Sequence, residues 1–571
     1  MKKKLRVILI TSLIMLVAMG ALLWKMNELA KKQTEKEQTI LKEERDLTAE
    51  DGSKVTDDIK EVDINSLYLS GGDQNVITTA LSPGNDVYHV DKSAEVEKML
   101  TDIKKNKQFT FANPMWAYNP YGTNKLSMYL YFKSEGKGYC RYTISVADPA
   151  IPDFTRTLLN DGSGNLSKEH EYQLIGLIPG QRNIITVRLY NKKDELSAIQ
   201  SYGIDVPALT DGAAVQLGTE VGYSKTTVTN GLYTAFTGAH TAADGNKQYG
   251  ILQYDNSGYL RSDIPLNGGV CRNMQIIYDT LIYTAGDSQV VKVNDLGQVM
   301  GSYAINGYKI TGAYAYDGSG SLYLIATANR KKATKNSKIL KLELETGEVT
   351  ESLDLDTLLS QVHKRIKGKN WIDINSIQVV GTNQLLLSSA GLSSILKVSQ
   401  VGSLLPEVNY IIGDPKIWND YKGFKGKVLA KDTGEESEGG DGEEGKEKKK
   451  DFAYQYGQNS MVYQSGSEGQ YSLEFLNNNA GQGAGGGTES YYYCYQVDET
   501  AGTYQLKAYE TLPQTRTAGN VTVEPEVIIY CNSDARTVQE TDRSGKLIRQ
   551  FTYPYPIYRV YKSDWKGFWF Y

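Results

Sequence analysis

Past residue 110, apolar residues fall in short runs, broken at close intervals by Asp, Asn, Gly and Pro. That rhythm predicts strands and turns. The clearest case is a hairpin. Ile374 to Val380 is β-prone, Gly381-Thr382-Asn383 supplies the turn, and Leu385 to Ser389 returns as a short apolar strand. From about residue 212 one shape recurs: strand, Asp/Asn/Gly turn, strand. It is seen at Tyr249–Tyr254 and Tyr259–Arg261, at Val290–Val293 and Gln298–Met300, at Ser337–Glu343 and Glu348–Thr350, and at Thr537–Glu540 and Lys546–Ile548. This is the outer hairpin of a propeller blade, although a β-helix or stacked sandwiches share the rhythm. The roughly 360 residues from 212 to 571 fit about four to eight four-stranded blades.

Before position 212 the pattern differs. Val96, Met99, Leu100 and Ile103 share one face of a predicted helix over Ala94 to Ile103, with Ser93 as N-cap. Strands are predicted at Ser127–Phe132, Tyr142–Val146, Glu171–Ile175 and Asn183–Tyr190, spaced as in a small β-sandwich over 65–207. At the N-terminus, Lys2, Lys3, Lys4 and Arg6 precede an uncharged run from Val7 to Trp24, long enough to cross a bilayer. The basic cluster puts the N-terminus in the cytoplasm and the rest outside. A cleaved signal peptide is the competing reading, with Ala18-Met19-Gly20 as a small-x-small site. Residues 25–64 read as a polar stalk. Lys431 to Asp451 is Gly-, Glu- and Lys-rich and cannot bury a core, so a disordered insertion is expected there; Asn477 to Gly487 reads as a second flexible loop.

Composition adds limits. A chain of 571 residues exceeds one ordinary core. Its net charge of −5 and lack of a basic face argue against nucleic acid. High Tyr and Gly favour an all-β protein. Cys140, Cys271, Cys494 and Cys531 have no zinc spacing, and one disulfide between Cys494 and Cys531 competes with isolated thiols. His89, His170, His240 and His363 are the only histidines, so no His-based metal site and no cofactor is expected. His170 reads as structural, because nothing near it in sequence offers a partner.

The wording of several blocks is more specific than their period. Trp371-x-x-Ile-Asn-Ser-Ile-Gln378 followed by Leu386-Leu-Ser-Ser389 resembles the central motif of the bacterial arylsulfotransferases. Asn113-Pro-Met-Trp-Ala-Tyr-Asn-Pro120, Ile151–Thr157 and His170–Pro179 resemble the N-terminal domain of that family. Tyr456-Gly-Gln-Asn-Ser460 and the closing Tyr558-Arg-Val-Tyr-Lys562 are also similar to family blocks. The resemblance implies an all-β ectodomain: a small β-sandwich, then a six-bladed propeller over 212–571. It also implies sulfuryl transfer from an aryl sulfate to a phenol through a covalent histidine.

The same alignment removes that chemistry. The nucleophilic histidine falls on Asn459. Other histidines and an arginine that hold the sulfate fall on Met274, Asp373 and Ala390, and a His-His pair falls on Thr311-Gly312. An amide nitrogen has no free lone pair, so Asn459 cannot replace imidazole. Asp373 places negative charge where sulfate needs a donor, and Ala390 lacks the guanidinium fork. No competent catalytic residue is expected, and Arg272, Asn375 and Gln458 are left to hold a ligand. Tyr456 or Ser460 could be offered as a substitute nucleophile, but neither has a neighbouring base in sequence. Asp373, Asn375 and Asn459 together could also suggest an oxygen-rich cation site, though oxygen ligands are too common to support it. The expectation is a membrane-anchored, extracellular, catalytically impaired homologue that binds an aryl or phenolic molecule or serves as a scaffold. The alternative is an active aryl-sulfate sulfotransferase.

Overall fold

The computed structural model describes residues 59–62 and 87–571, apart from 161–163, 229, 434–451, 468 and 481–486, with Lys25 and Glu28 as isolated positions. The expected anchor and nearly all of the stalk and insertion lie outside the described residues. Among those described, no helix is long and apolar enough to cross a membrane. Ile59–Glu61 pairs in parallel with Ser201–Gly203 and clusters with Gln200–Gly203 as one unit. The remainder is the second unit.

The second unit begins with a helix, Val90–Asn106. It is longer than the predicted span, and Ser93 lies inside it rather than at its cap. The Ser93 hydroxyl accepts from the Val299 amide at 2.8 Å instead. Val96 and Leu100 are buried against Met115, Tyr129 and Tyr131, with Met99 and Ile103 packed beside them. The two strands predicted at 127–132 and 142–146 are one strand of 20 residues, Ser127–Val146. Its first half pairs with Met115–Tyr118 and Ser167–Ile175, its second with Phe154–Thr157 and Arg182–Asn191. One long strand thus carries four partners, two along each half. The alternation along it breaks at Lys133 to Lys137, where the register shifts. That break is why the sequence reads as two strands.

Six further sheets make six blades. The third is Tyr308–Tyr316, Ser321–Ala328, Lys338–Glu343 and Val349–Asp354. The fourth is Ile374–Gly381, Gln384–Ser389, Ser394–Ser399 and Glu407–Gly413, so the predicted hairpin is its inner half. Strand 384–389 shows why a propeller hides strand alternation. Leu385 and Leu387 pack toward the third blade and Leu386 toward the fifth, so three successive positions are apolar. All four repeated units are outer hairpins, as expected.

The ring closes from both chain ends. Gly218–Val221 adds to the outer edge of the sixth blade by pairing with Leu547–Thr552. Ile557–Ser563 adds to the first blade by pairing with Leu232–Thr237. The chain then continues onto the sandwich, where the Tyr571 amide donates to the Thr157 carbonyl at 3.1 Å. Lys125 of the sandwich sits between Asp211 and Asp263, and Arg261 of the first blade donates to Asp255 at 2.7 Å and to the Pro152 carbonyl at 2.6 Å.

One edge differs from expectation. Lys431 forms a short strand with Ala430 against Thr503–Tyr504, so it belongs to the fifth blade and not to an insertion. Its ammonium lies over the Tyr454 ring, 3.8 Å from the centroid, which gives this residue a fixed place. The four cysteines are free.

Candidate functional site

The inner strands bring most of the sequence-picked positions to one end of the ring. Asn459 begins the inner strand of the fifth blade, Asn459–Ser465. The turn before it needs Gly457. That residue has φ +62, and a Cβ there would stand 2.3 Å from the Ala480 carbonyl oxygen. Ser460 is also left-handed, and the strand carries a bulge after Asn459. These kinks bury the Asn459 side chain. Its oxygen accepts from the Arg559 guanidinium. The same Nη2 donates to the Asn375 carbonyl at 3.2 Å and the Ser376 hydroxyl at 3.4 Å. Arg559 belongs to the first blade, so it ties that blade to the inner strands of the fourth and fifth.

Asn375 and Gln458 are engaged with protein groups. Asn375 Nδ2 donates to the Gln458 carbonyl at 2.7 Å. Gln458 Nε2 reaches Ser388 Oγ, Ser389 O and Ser394 O at 3.2, 3.1 and 3.0 Å. Both side chains lace the fourth blade to the fifth.

A second cluster holds Asp373, Ala390 and Thr311. Asp373 has φ +42, and its carbonyl accepts from the Ala390 amide at 3.1 Å. Its carboxylate accepts from Asn336 Nδ2 at 2.6 Å and Lys335 Nζ at 3.1 Å. Asn336 connects through Thr327 to Thr311, whose hydroxyl is 2.7 Å from that of Thr327. The Asp373 charge is therefore matched by a lysine the sequence analysis did not select. Gly312 is buried, and a Cβ on it would meet Ile325 Cγ2 at 2.7 Å. Met274 begins the inner strand of the second blade and is half-buried. Arg272, two residues earlier, stands over the Tyr558 ring at 5.0 Å.

Residues 190–511 match the arylsulfotransferase (ASST) family, and residues 115–207 match the arylsulfotransferase Ig-like domain. The chain belongs to the arylsulfotransferase family. No curated protein matches it in sequence. Similar solved structures include the nidogen/laminin complex, at 9% identity over 58% of this chain and 98% of that chain, with a TM-score of 0.32. An auxiliary nutrient binding protein from Bacteroides ovatus is 11% identical over 76% of this chain and 94% of that one, at 0.31. The virginiamycin B lyase of Staphylococcus aureus is 11% identical over 66% and 94%, at 0.28. Likenesses this remote carry no argument about function.

In this arylsulfotransferase-family chain, all four histidines lie elsewhere. His89 precedes the helix and His170 is buried in the sandwich. His240 lies in a two-residue strand of the first blade, and His363 stacks on Trp371 at 4.6 Å. Other nucleophiles are muted. Burial pushes the Cys271 and Cys531 thiols up to about 12, so neither supplies a thiolate. Tyr456 does have a neighbouring base, which the sequence did not reveal: its hydroxyl donates to Asp414 Oδ2 at 3.2 Å. Burial, and then the Asp414 charge, raise its pKa, which keeps the phenol protonated. Arg559, Lys335 and Asp414 were all missed in sequence because each acts on a partner in another segment. Arg559 lies within Tyr558–Lys562, a stretch that resembles the family, but nothing local gave it a role.

Proposed function

We propose that this protein is a membrane-tethered, extracytoplasmic arylsulfotransferase-family propeller that no longer transfers sulfuryl groups and binds an aryl or phenolic small molecule at its axis. One observation carries the reading. Asn459, which matches the family's nucleophilic position, is buried and spends its side-chain oxygen on Arg559. A covalent sulfuryl intermediate needs a basic lone pair at that place, and an amide offers none. The anchor rests on the Lys-rich N-terminus and the apolar run to Trp24.

The test is a transfer assay on the purified ectodomain, with a chromogenic aryl sulfate as donor and a phenol as acceptor. No transfer above background is expected. Steady turnover that survives every substitution at Asn459, Asp373 and Ala390 would overturn the reading.

The Tyr456–Asp414 contact favours one second reading, an active enzyme with a phenol as nucleophile. In that case Tyr456→Phe abolishes a turnover that Asn459 variants leave intact.

A further inference from the structure

Arg559 is almost wholly buried, at 3% exposure. Its Nη2 is met only by neutral acceptors, namely Asn375 O, Ser376 Oγ and Asn459 Oδ1. Its Nε is buried without a partner, and so is the Nε of Arg272. Among the described residues no carboxylate pairs with either guanidinium. Both cations stand over one ring, that of Tyr558, at 5.0 Å for Arg272 and 4.9 Å for Arg559. Guanidinium remains charged at any physiological pH, so neither can relieve the cost of burial by losing a proton. A ring face repays part of that cost, but a ring is not a counter-ion.

The acidic side of the same site is already neutral. Asp373 holds Lys335 and Asn336 within the network of the third and fourth blades. Among the described residues of this site, Arg559 on the first blade and Arg272 beside the second thus lack a counter-ion, while Asp373 beside the fourth is balanced by Lys335.

We infer that Arg272 and Arg559, with Tyr558 between the first and second blades, form the binding locus for an oxyanion. The anion-holding function has moved across the axis, away from the Asp373 and Ala390 positions. The half-buried Arg272 guanidinium, backed by the charge of Arg559, suits a carboxylate, phosphate or sulfate. Tyr558 gives the ring of an aromatic anion a surface to pack against. This inference rests on the binding role proposed above.

The experiment is calorimetric titration of the full ectodomain with inorganic phosphate, benzoate and 4-nitrophenyl sulfate, at ionic strength matched with sodium chloride. Saturable binding of at least one anion is expected. Arg272→Met should weaken it by at least about tenfold, the loss of a charge-assisted hydrogen bond. Lys193→Met, on an exposed turn of the sandwich, should leave it unchanged. Phosphate binding with no gain for the aromatic anions places the selectivity in the two arginines alone; a gain for the aromatic anions adds Tyr558. Arg559→Met is the stronger substitution but removes a tie between blades, so Arg272→Met decides if that variant fails to fold. No saturable binding of any of the three, or binding that Arg272→Met leaves intact, overturns the inference. Failure of the functional proposal is separate and would appear as aryl sulfate turnover.

Discussion

The Arg559 guanidinium donates to the side-chain oxygen of Asn459, a residue one hundred positions earlier, and both are buried. This contact changes what a restored histidine would experience. In Asn459→His the imidazole would replace an amide as the acceptor for a permanent cation. A nearby positive charge disfavours imidazolium, so its pKa should fall below the ordinary histidine value of about 6.5. The expected result is a neutral ring at pH 7 and little transfer activity, since Ala390 still lacks a guanidinium. NMR titration of the variant checks the first part. A pKa above that of a free histidine would show that Arg559 does not face the ring. Adding Asp373→His and Ala390→Arg has the best chance of partial rescue. Gly312 is best left alone, because Ile325 occupies the space a side chain would need.

The seam that closes the ring offers a test of stability. Glu540 of the sixth blade is fully buried and accepts from Lys562 Nζ at 3.1 Å, with Arg549 at 3.4 Å and the Tyr233 hydroxyl also on it. Lys562 lies on Ile557–Ser563, the strand that completes the first blade. Glu540→Gln would leave two cations around a neutral amide. Breaking such a buried pair costs about 3–5 kcal/mol. Urea denaturation should show this loss, and Glu540→Gln with Lys562→Met should recover part of it. A change within experimental error would mean that water reaches the cluster.

The fold was legible to the extent that each element is local. The 374–389 hairpin and the four outer hairpins needed only period, turn residues and a few neighbours. The register shift at Lys133 to Lys137 was not legible, because a continuous bent strand and two strands share one hydrophobic pattern. In the site, alignment to a family motif located Asn459, Asp373 and Ala390. It could not show that Lys335 answers the Asp373 charge or that Arg559 claims Asn459, because both partners arrive from other blades. Asn375 and Gln458 looked available as ligand donors for the same reason. Their acceptors, Gln458 O, Ser389 O and Ser394 O beside the Ser388 hydroxyl, are mostly backbone atoms to which residue type gives no clue.

The ordering of Lys431 sharpens a deletion experiment. Residues 434–451 contain almost no apolar side chain, so removing them should leave the melting temperature nearly unchanged. Extending the deletion to 430–451 removes the Ala430–Lys431 pairing with Thr503–Tyr504 and the Lys431 contacts to Phe452 and Tyr454. That longer deletion should lower it. Scanning calorimetry on both decides, and equal effects would mean that this short edge strand contributes nothing.

His170 sets a pH dependence on the sandwich. Asn160 Nδ2 donates to the Asn165 carbonyl at 2.9 Å, which turns its oxygen toward the Tyr172 hydroxyl. Tyr172 thus gives its proton to Asn160 and accepts from His170 Nδ1 at 2.8 Å. The ring stacks on Phe132 at 4.5 Å, and Ser134 Oγ lies 2.9 Å from Nε2. Burial lowers the imidazole pKa to about 4. An unfolded chain takes up this proton below about pH 6.5, whereas the folded protein resists until about 4. Stability is therefore undiminished above 6.5 and is lost as pH falls through that window, by about 3 kcal/mol in all. His240, whose pKa burial also lowers, adds a loss of the same sign. Unfolding free energies at pH 7.0 and pH 4.5 should differ less in His170→Gln than in the unmodified protein, even if the variant is weaker at both. Equal differences would show that His170 takes its proton as readily folded as unfolded.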